Sequence, residues 1–454
     1  MTHAGETGDL TRAEEVAYVM DCITDGACCS IVGVSNMGKS DLLRTVYSAE
    51  ARKRFLPDTE QYVFIHIDFN LMVALTEQGF YELILRNTLE ELKRLQVPPA
   101  LLEQADVLYH QVVNPSTPFL VPLSFNECVI ALGEGLGQRI VLLCDEFDEA
   151  FKEIDARVFL NLRALRDRFA ERLIYVVFSE QQLEESRREP EIAEFCELFA
   201  HRTLFLGPLN DADARRVIRA FAREEEVEFS AEDEDFVIAQ AGGHPGLLRA
   251  VCHVLTQAGS DPPTYKLVRK RLDSDHNVRG ECAKLWNDLS PVEQDALIAF
   301  VDRGRAGLEA WPPEVEQGLR RKGILVAGRK DQLRVLGALF EGFARRQKRV
   351  KAKKGPPGVW VDVDAGDVWV DGKLTPTLTD LEYRLLLLLY GRLGKLCDKY
   401  QIVESVWGEE YIDEVDDARI DKLVSRLRRK IEPNPGEPRY LITVRGRGYK
   451  LISG

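Results

Sequence analysis

The octapeptide Gly33-Val34-Ser35-Asn36-Met37-Gly38-Lys39-Ser40 fills every position of the G-x-x-x-x-G-K-[ST] phosphate loop. No other stretch constrains the chain as strongly, because this loop works only between a buried strand and the start of a helix. The flanks agree: the apolar run over 28–34 predicts a strand, and the amphipathic pattern over 41–47 predicts a helix. The two glycines allow a backbone curl that side chains would block, so the N–H groups of the loop and of the helix N-terminus converge on phosphate oxygens. On this reading Gly33, Ser35, Asn36, Met37, Gly38, Lys39, Ser40 and Asp41 surround the phosphates of ATP or ADP. Lys39 reaches the outer phosphates and Ser40 offers its hydroxyl to Mg2+.

Four further strand-like runs follow, over 62–70, 139–147, 172–179 and 202–209, with helical periodicity between them. That alternation predicts an α/β fold with a parallel sheet covered by helices. The run Ile140-Val141-Leu142-Leu143-Cys144-Asp145-Glu146 is a buried strand ending in two acids, the Walker B pattern. A strand's carboxyl end faces the ligand crevice of such a sheet, so the acids are expected beside the phosphate loop. Asp145 is the expected metal holder and Glu146 the expected catalytic base for hydrolysis, with Lys39 as its catalytic partner. Ser179, ending its own strand, either senses the terminal phosphate or caps the strand.

The length of 454 residues suggests about three domains. A formal charge of −14 argues against nucleic-acid binding by the whole surface, so any DNA contact must come from a local basic patch. Nine cysteines without a C-x-x-C pair argue against a disulfide framework or zinc site and for a reducing, cytoplasmic setting. No signal peptide is expected, and the longest leucine run, 385–389, is too short to span a bilayer.

Residues 10–345 resemble a P-loop ATPase of the STAND branch of the AAA+ superfamily. The marks are the phosphate loop, the Walker B strand, the leading Thr11-Arg12-Ala13-Glu14-Glu15 and the turn Gly242-Gly243-His244-Pro245-Gly246. The resemblance implies a helical lid beginning after Leu209, with Asn210 or Asp211 as N-cap of a helix over 212–223, and His244 touching the nucleotide. It also implies a central winged helix and a homo-oligomer. One departure is the sensor strand, which ends Phe178-Ser179-Glu180 where many members carry an arginine. Arg163, Arg166, Arg168, Arg187 and Arg188 lie where an arginine finger would come from, but none is singled out.

Ser290-Pro291-Val292-Glu293 is a capping box opening a helix over 294–302. A helix over 313–322 and two short strand-like runs follow, a helices-then-hairpin order that reads as the central winged helix, with a structural role. Residues 345–358, dense in Arg and Lys and ended by Gly and Pro, predict a basic linker. Beyond it come alternating strands, a capping box at Thr379-Asp380-Leu381-Glu382, a helix over 399–407, an acidic loop over 409–417 and a third helix over 419–430. Ile420, Leu423, Val424, Leu427 and Ile431 form the apolar stripe of that helix, leaving Lys422, Ser425, Arg426 and Arg429 outward. The ending Thr443-Val444-Arg445-Gly446-Arg447-Gly448-Tyr449 reads as a wing.

These last hundred residues closely resemble the OmpR/PhoB-type winged-helix DNA-binding domain. The resemblance places the third helix in the major groove and Arg445 in the minor groove, with Thr443, Arg447 and Tyr449 in the same interface. The expected organisation is an ATPase core over 1–209, a helical lid over 210–278, a central winged helix over 279–344, the linker over 345–358 and the DNA-binding domain over 359–454. The whole implies an ATP-binding and ATP-hydrolysing switch that controls double-stranded DNA binding and so transcription, with RNA polymerase or a signal protein as candidate partners. A DNA-remodelling or origin-recognition ATPase and a STAND defence switch are the competing readings.

Overall fold

The computed structural model describes residues 10–187, 189–257, 265–328, 332–352, 358–362, 366–376, 378–408, 415, 417–444 and 446–452. The chain forms two compact units, one made of residues 1–228, 243–246 and 317–326, the other of residues 229–242, 247–316 and 327–454.

In the first unit five parallel strands form one sheet in the order β2-β3-β4-β1-β5. They are β1 (Cys29–Val32), β2 (Tyr62–Asp68), β3 (Arg139–Asp145), β4 (Leu173–Ser179) and β5 (Thr203–Phe205). Every residue of β1 and β4 is buried, as expected of parallel strands covered on both faces. The expected strands over 62–70 and 139–147 stop at Asp68 and Asp145, where acids replace apolar residues, and the strand expected over 202–209 shortens to three residues. The phosphate loop follows the inner strand β1, and the helix Lys39–Tyr47 follows the loop. Phe147, directly after the β3 acids, is buried against Phe69 and Phe159 with ring centroids 5.1 and 6.0 Å apart. Aromatic packing thus fixes the corner on which Glu146 sits.

The helix Asp211–Glu224 starts at Asn210, one of the two candidate caps, whose side chain accepts from the Asp213 N–H. In the second unit the helices Ala231–Ala241, Tyr265–Ser274, His276–Asn287, Pro291–Arg303 and Ala338–Ala352 surround a core that includes Phe300, Phe340 and Phe343. The Ser290 capping box forms in full. Gly242 and Gly337, both at positive φ, mark where two backbones cross: a Cβ on Gly337 would stand 2.6 Å from the Gln240 oxygen and 2.7 Å from the Gly242 nitrogen. The segment 345–352, expected to belong to a basic linker, is instead the second half of the helix Ala338–Ala352. One side of this helix buries Leu339, Phe340, Phe343, Ala344 and Gln347, while Arg345 pairs with Glu341 at 2.7 Å and Arg346 with Asp273 at 3.2 Å. Residues 353–357 lie outside the described residues.

The C-terminal part opens with β8 (Val359–Asp362), β9 (Asp367–Val370) and β10 (Lys373–Leu374) in an antiparallel sheet, after a two-stranded sheet of β6 (Leu325–Ala327) and β7 (Leu333–Val335). Three helices follow, Asp380–Gly391, Lys399–Val406 and Asp417–Ile431, then the hairpin β11 (Leu441–Val444) and β12 (Gly448–Leu451). The Thr379 and Asp398 side chains close capping boxes at the first two helices. All five residues of the expected apolar stripe on the third helix are buried in one core with Leu385, Leu389, Tyr440 and Leu441. Among the described residues no helix is long and apolar enough to cross a membrane.

Candidate nucleotide site and DNA-facing surface

The phosphate loop has the backbone its function demands. Asn36 and Gly38 take positive φ, 56° and 95°, which curls the chain between β1 and the helix. A Cβ on Gly33 would press the Leu206 side chain at 3.1 Å. The Gly33 N–H donates to the Ser179 carbonyl at 3.0 Å, which locks the loop's first residue to the end of β4. Lys39 is only 6% exposed, and its Nζ donates to the Gly33 carbonyl at 2.7 Å. No carboxylate lies within ion-pair range of it among the described residues. A buried ammonium with no carboxylate at ion-pair distance fits an anion, and the N-terminus of the helix that Lys39 opens fits phosphate. Met37 is fully buried, Ser35 and Ser40 half-buried, and Asn36 and Asp41 exposed, Asp41 pairing with Arg44.

Asp145 ends β3, 6% exposed, and accepts the Glu146 N–H at 3.1 Å. Glu146 sits at φ 53°, a conformation an L residue rarely adopts, which swings its side chain away from the strand direction. Burial pushes the Glu146 carboxyl above the usual range; the Lys39 ammonium opposes this and Asp145, Glu180 and Asp148 add to it. Lys39, Asp145 and Glu146 thus share one electrostatic neighbourhood. The protein offers few metal ligands here: no group of three or more His, Cys, Asp or Glu that could hold an ion occurs among the described residues. The Ser40 hydroxyl and the Asp145 carboxylate are oxygen donors of the kind magnesium takes from protein, the rest coming from phosphate and water.

Ser179 is fully buried, its hydroxyl donating to the Gln181 carbonyl at 2.8 Å and its carbonyl occupied by Gly33. His244, fully buried, places Nε2 3.0 Å from the Ser35 carbonyl, so it meets the loop's backbone. Four of the five candidate finger arginines have partners within the unit. Arg187 donates to the Phe151 and Ile154 carbonyls, Arg166 to Gly26, Arg163 pairs with Asp167 and Arg168 with Glu134. Arg188 lies outside the described residues.

On the helix Asp417–Ile431, Lys422, Ser425, Arg426 and Arg429 are all exposed along one face, and Thr443 and Arg447 are exposed on the hairpin. Arg445 lies outside the described residues. Tyr449 departs from expectation: its ring is 8% exposed in the core and its hydroxyl bonds Asp421, so it ties β12 to the helix from inside. The alternation of β12 turns Tyr449 inward, a consequence of period two.

Residues 10–276 match the profile of the Novel STAND NTPase 1 family. The chain belongs to that family. Residues 373–451 match a second profile, Transcriptional regulatory protein, C terminal, so this STAND NTPase carries a transcription-regulator DNA-binding domain of OmpR/PhoB type. The sensory transduction protein RegX3 of Mycobacterium tuberculosis is 41% identical over 99 residues, 22% of this chain and 41% of its own. AfsQ1, a transcriptional regulatory protein of Streptomyces coelicolor, is 37% identical over 124 residues, 26% of this chain and 52% of its own. The STAND NTPase thus spans about half or less of these relatives. Among solved structures, the Walker-type ATPase PABY2304 of Pyrococcus abyssi aligns with a TM-score of 0.47 at 15% identity, covering 75% of this chain and 97% of that one. The ADP form of the Aeropyrum pernix ORC2 protein gives 0.43 at 14%, covering 77% and 96%. Both are loose likenesses.

Three residues of this STAND NTPase were not singled out from sequence. Arg12, 4% exposed and at φ 58°, donates through Nη2 to the Met37 and Gly207 carbonyls at 2.8 Å each and through Nη1 to Glu15 at 3.0 Å. Its backbone N–H donates to Asp213 of the helix Asp211–Glu224 at 3.1 Å. One residue therefore joins the phosphate loop, the chain after β5 and that helix. Glu180 accepts the Ser35 hydroxyl at 3.1 Å. Arg428 binds the Leu441 carbonyl and, at 2.7 Å, the Thr443 hydroxyl, holding the hairpin against the helix. Arg12 stands within a segment already noticed by resemblance, but its contacts span up to 201 residues and no local pattern reveals them.

Proposed function

We propose that this STAND NTPase is an ATP-binding, ATP-hydrolysing switch in which nucleotide state controls DNA binding by the C-terminal domain, and thereby transcription. The observation that carries the reading is Lys39, a buried ammonium on the Gly33 carbonyl at the helix start of a complete phosphate loop, in a chain that also presents an exposed basic helix face. The proposed division is an ATPase core over 1–209, a lid over 210–278, a central winged helix from 279 to the end of the helix Ala338–Ala352, and the DNA-binding domain over 359–454. The helices His276–Asn287, Pro291–Arg303 and Pro313–Arg321 followed by β6 and β7 support the central assignment.

In this mechanism Lys39 and the N–H groups at the start of the helix Lys39–Tyr47 bind the phosphates, with His244 bracing the loop through Ser35. Ser40 and Asp145 would hold Mg2+, which supplies charge neutralisation between the phosphates when bound. Glu146 accepts the proton of the hydrolytic water, a task its raised carboxyl basicity suits. Lys422, Ser425, Arg426 and Arg429 would enter the major groove while Thr443, Arg445 and Arg447 follow the backbone and minor groove. A homo-oligomer and contacts with RNA polymerase or a signal protein belong to the same proposal. The test is nucleotide binding by calorimetry: Lys39→Ala is expected to abolish ATP and ADP binding, and retention of wild-type affinity would remove the reading.

A further inference from the structure

Glu180 stands where β4 ends, and its side chain reaches across to the phosphate loop. The Ser35 hydroxyl donates to Glu180 Oε1 at 3.1 Å. The Glu180 backbone is fixed in turn, its N–H donating to both Asp148 oxygens at 3.0 and 2.8 Å. Glu180 and Asp148 both push the Glu146 carboxyl up while Lys39 opposes them, so these groups share one electrostatic neighbourhood. Asp145, Asp148, Glu180 and Lys39 thus all act on the Glu146 carboxyl, and Glu180 is tied by hydrogen bonds to both the loop and Asp148. Asp145 and Glu146 have roles in the proposed chemistry, and Asp148 is occupied by the Glu180 backbone. Glu180 has none, and an ionised carboxylate is an acceptor only: it can take the Ser35 proton but offers a phosphate nothing except repulsion.

In loops of this kind the lysine reaches the outer phosphates. We propose that Glu180 is a specificity-determining residue of this site, disfavouring a nucleoside triphosphate relative to the diphosphate, with Ser35 as the residue that positions it. The proposal rests on nucleotide binding at the phosphate loop. A terminal phosphate requires the carboxylate to leave Ser35, take up a proton or acquire a cation beside it. A diphosphate makes none of these demands. Glu180 thus acts on one ligand and spares the other, which is the differential affinity any nucleotide-driven switch needs.

The experiment measures ADP and a triphosphate with a non-hydrolysable β–γ bridge, both with Mg2+, against the full chain and the variants Glu180→Gln, Glu180→Asp, Ser35→Ala and Lys39→Ala. Wild type is expected to prefer ADP. Glu180→Gln should tighten the triphosphate about tenfold and change ADP by less than about twofold, the scale of one like-charge contact in a partly buried site. Glu180→Asp, which keeps the charge, should keep the preference, and Ser35→Ala should narrow it. General damage to the loop lowers both affinities together and leaves their ratio unmoved. If wild type binds both nucleotides and neither Glu180→Gln nor Ser35→Ala alters the ratio, Glu180 has no such role. Absence of binding by wild type, or unchanged binding by Lys39→Ala, would instead overturn the nucleotide reading and this inference with it.

Discussion

At Glu146 the features that suit catalysis are also costs to the fold. Burial raises its carboxyl in the folded chain, so the folded state binds this proton more readily than the unfolded state does. The stability tied to that proton is present below the ordinary carboxylate pKa and lost as pH rises through the raised one. Glu146→Gln removes the titration. It should bind ATP, slow hydrolysis by about a hundredfold or more, and melt higher than wild type at pH 7–8, with the gap closing as pH falls toward 4. Equal turnover in the two proteins would remove the assigned base; an equal melting difference at every pH would remove the burial argument. Arg12 has the opposite character. Its guanidinium is buried and meets only carbonyls and Glu15, so Arg12→Met should cost about 2–3 kcal/mol in urea unfolding and weaken nucleotide binding together, because loop and lid lose their shared tie. A stable Arg12→Met protein with unchanged ADP affinity would show that the tie has no consequence.

The elements were readable to the extent that their causes are local. The phosphate loop, the acid-ended β3, the capping boxes at Ser290 and Thr379 and the stripe of the helix Asp417–Ile431 each follow from neighbours within one or two turns, and each stands where periodicity put it. The segment 345–352 was misread because its charge density outweighed its pattern. Arg345 and Arg346 are satisfied by Glu341 and by the distant Asp273, which frees the opposite side to bury Phe343 and Gln347. Tyr449 was misread because the wing was taken as one surface, whereas a strand alternates. Glu382 shows how the C-terminal elements hold together. Burial alone would raise its carboxyl, but the Lys430 ammonium at 2.6 Å and the Thr379 N–H outweigh this and hold it below the ordinary range. Its contribution is complete above the unfolded carboxylate pKa and is lost as pH falls through the lower folded value. Lys430→Met should therefore cost about 2 kcal/mol at neutral pH and less in acid, read by unfolding at pH 7 and pH 3. A pH-independent cost would mean the loss is packing alone. On the outward face, Arg426→Ala should weaken DNA binding and, if it meets a phosphate, lower the salt slope by about one unit. Arg428→Ala should instead disturb the hairpin, since its guanidinium is already committed to Leu441 and Thr443.

For the whole molecule, the net charge of −14 means DNA is attracted by one face and repelled by much of the remainder, so binding must be steeply salt-dependent and readily tuned. A switch built on that balance is a coupling between two ligands, and coupling is reciprocal: if ATP in place of ADP changes DNA affinity by some factor, the same DNA must change the ATP-to-ADP preference by that factor. The expected factor is about 5 to 150. It should be measured both ways, as DNA affinity in each nucleotide with Glu146→Gln to suppress turnover, and as nucleotide affinity with and without a target duplex. Matching factors would establish that the NTPase and the winged helix form one device. A factor of one in both directions would make them independent modules on one chain. Strong acceleration of hydrolysis by any duplex, with affinities unchanged, would point to remodelling of DNA, because energy would then be spent on the nucleic acid rather than stored as a choice of state. Lowering the ADP preference through Glu180→Gln supplies the internal control: in a coupled device it must shift DNA affinity at fixed ATP and ADP concentrations without touching a single residue of the DNA-facing helix.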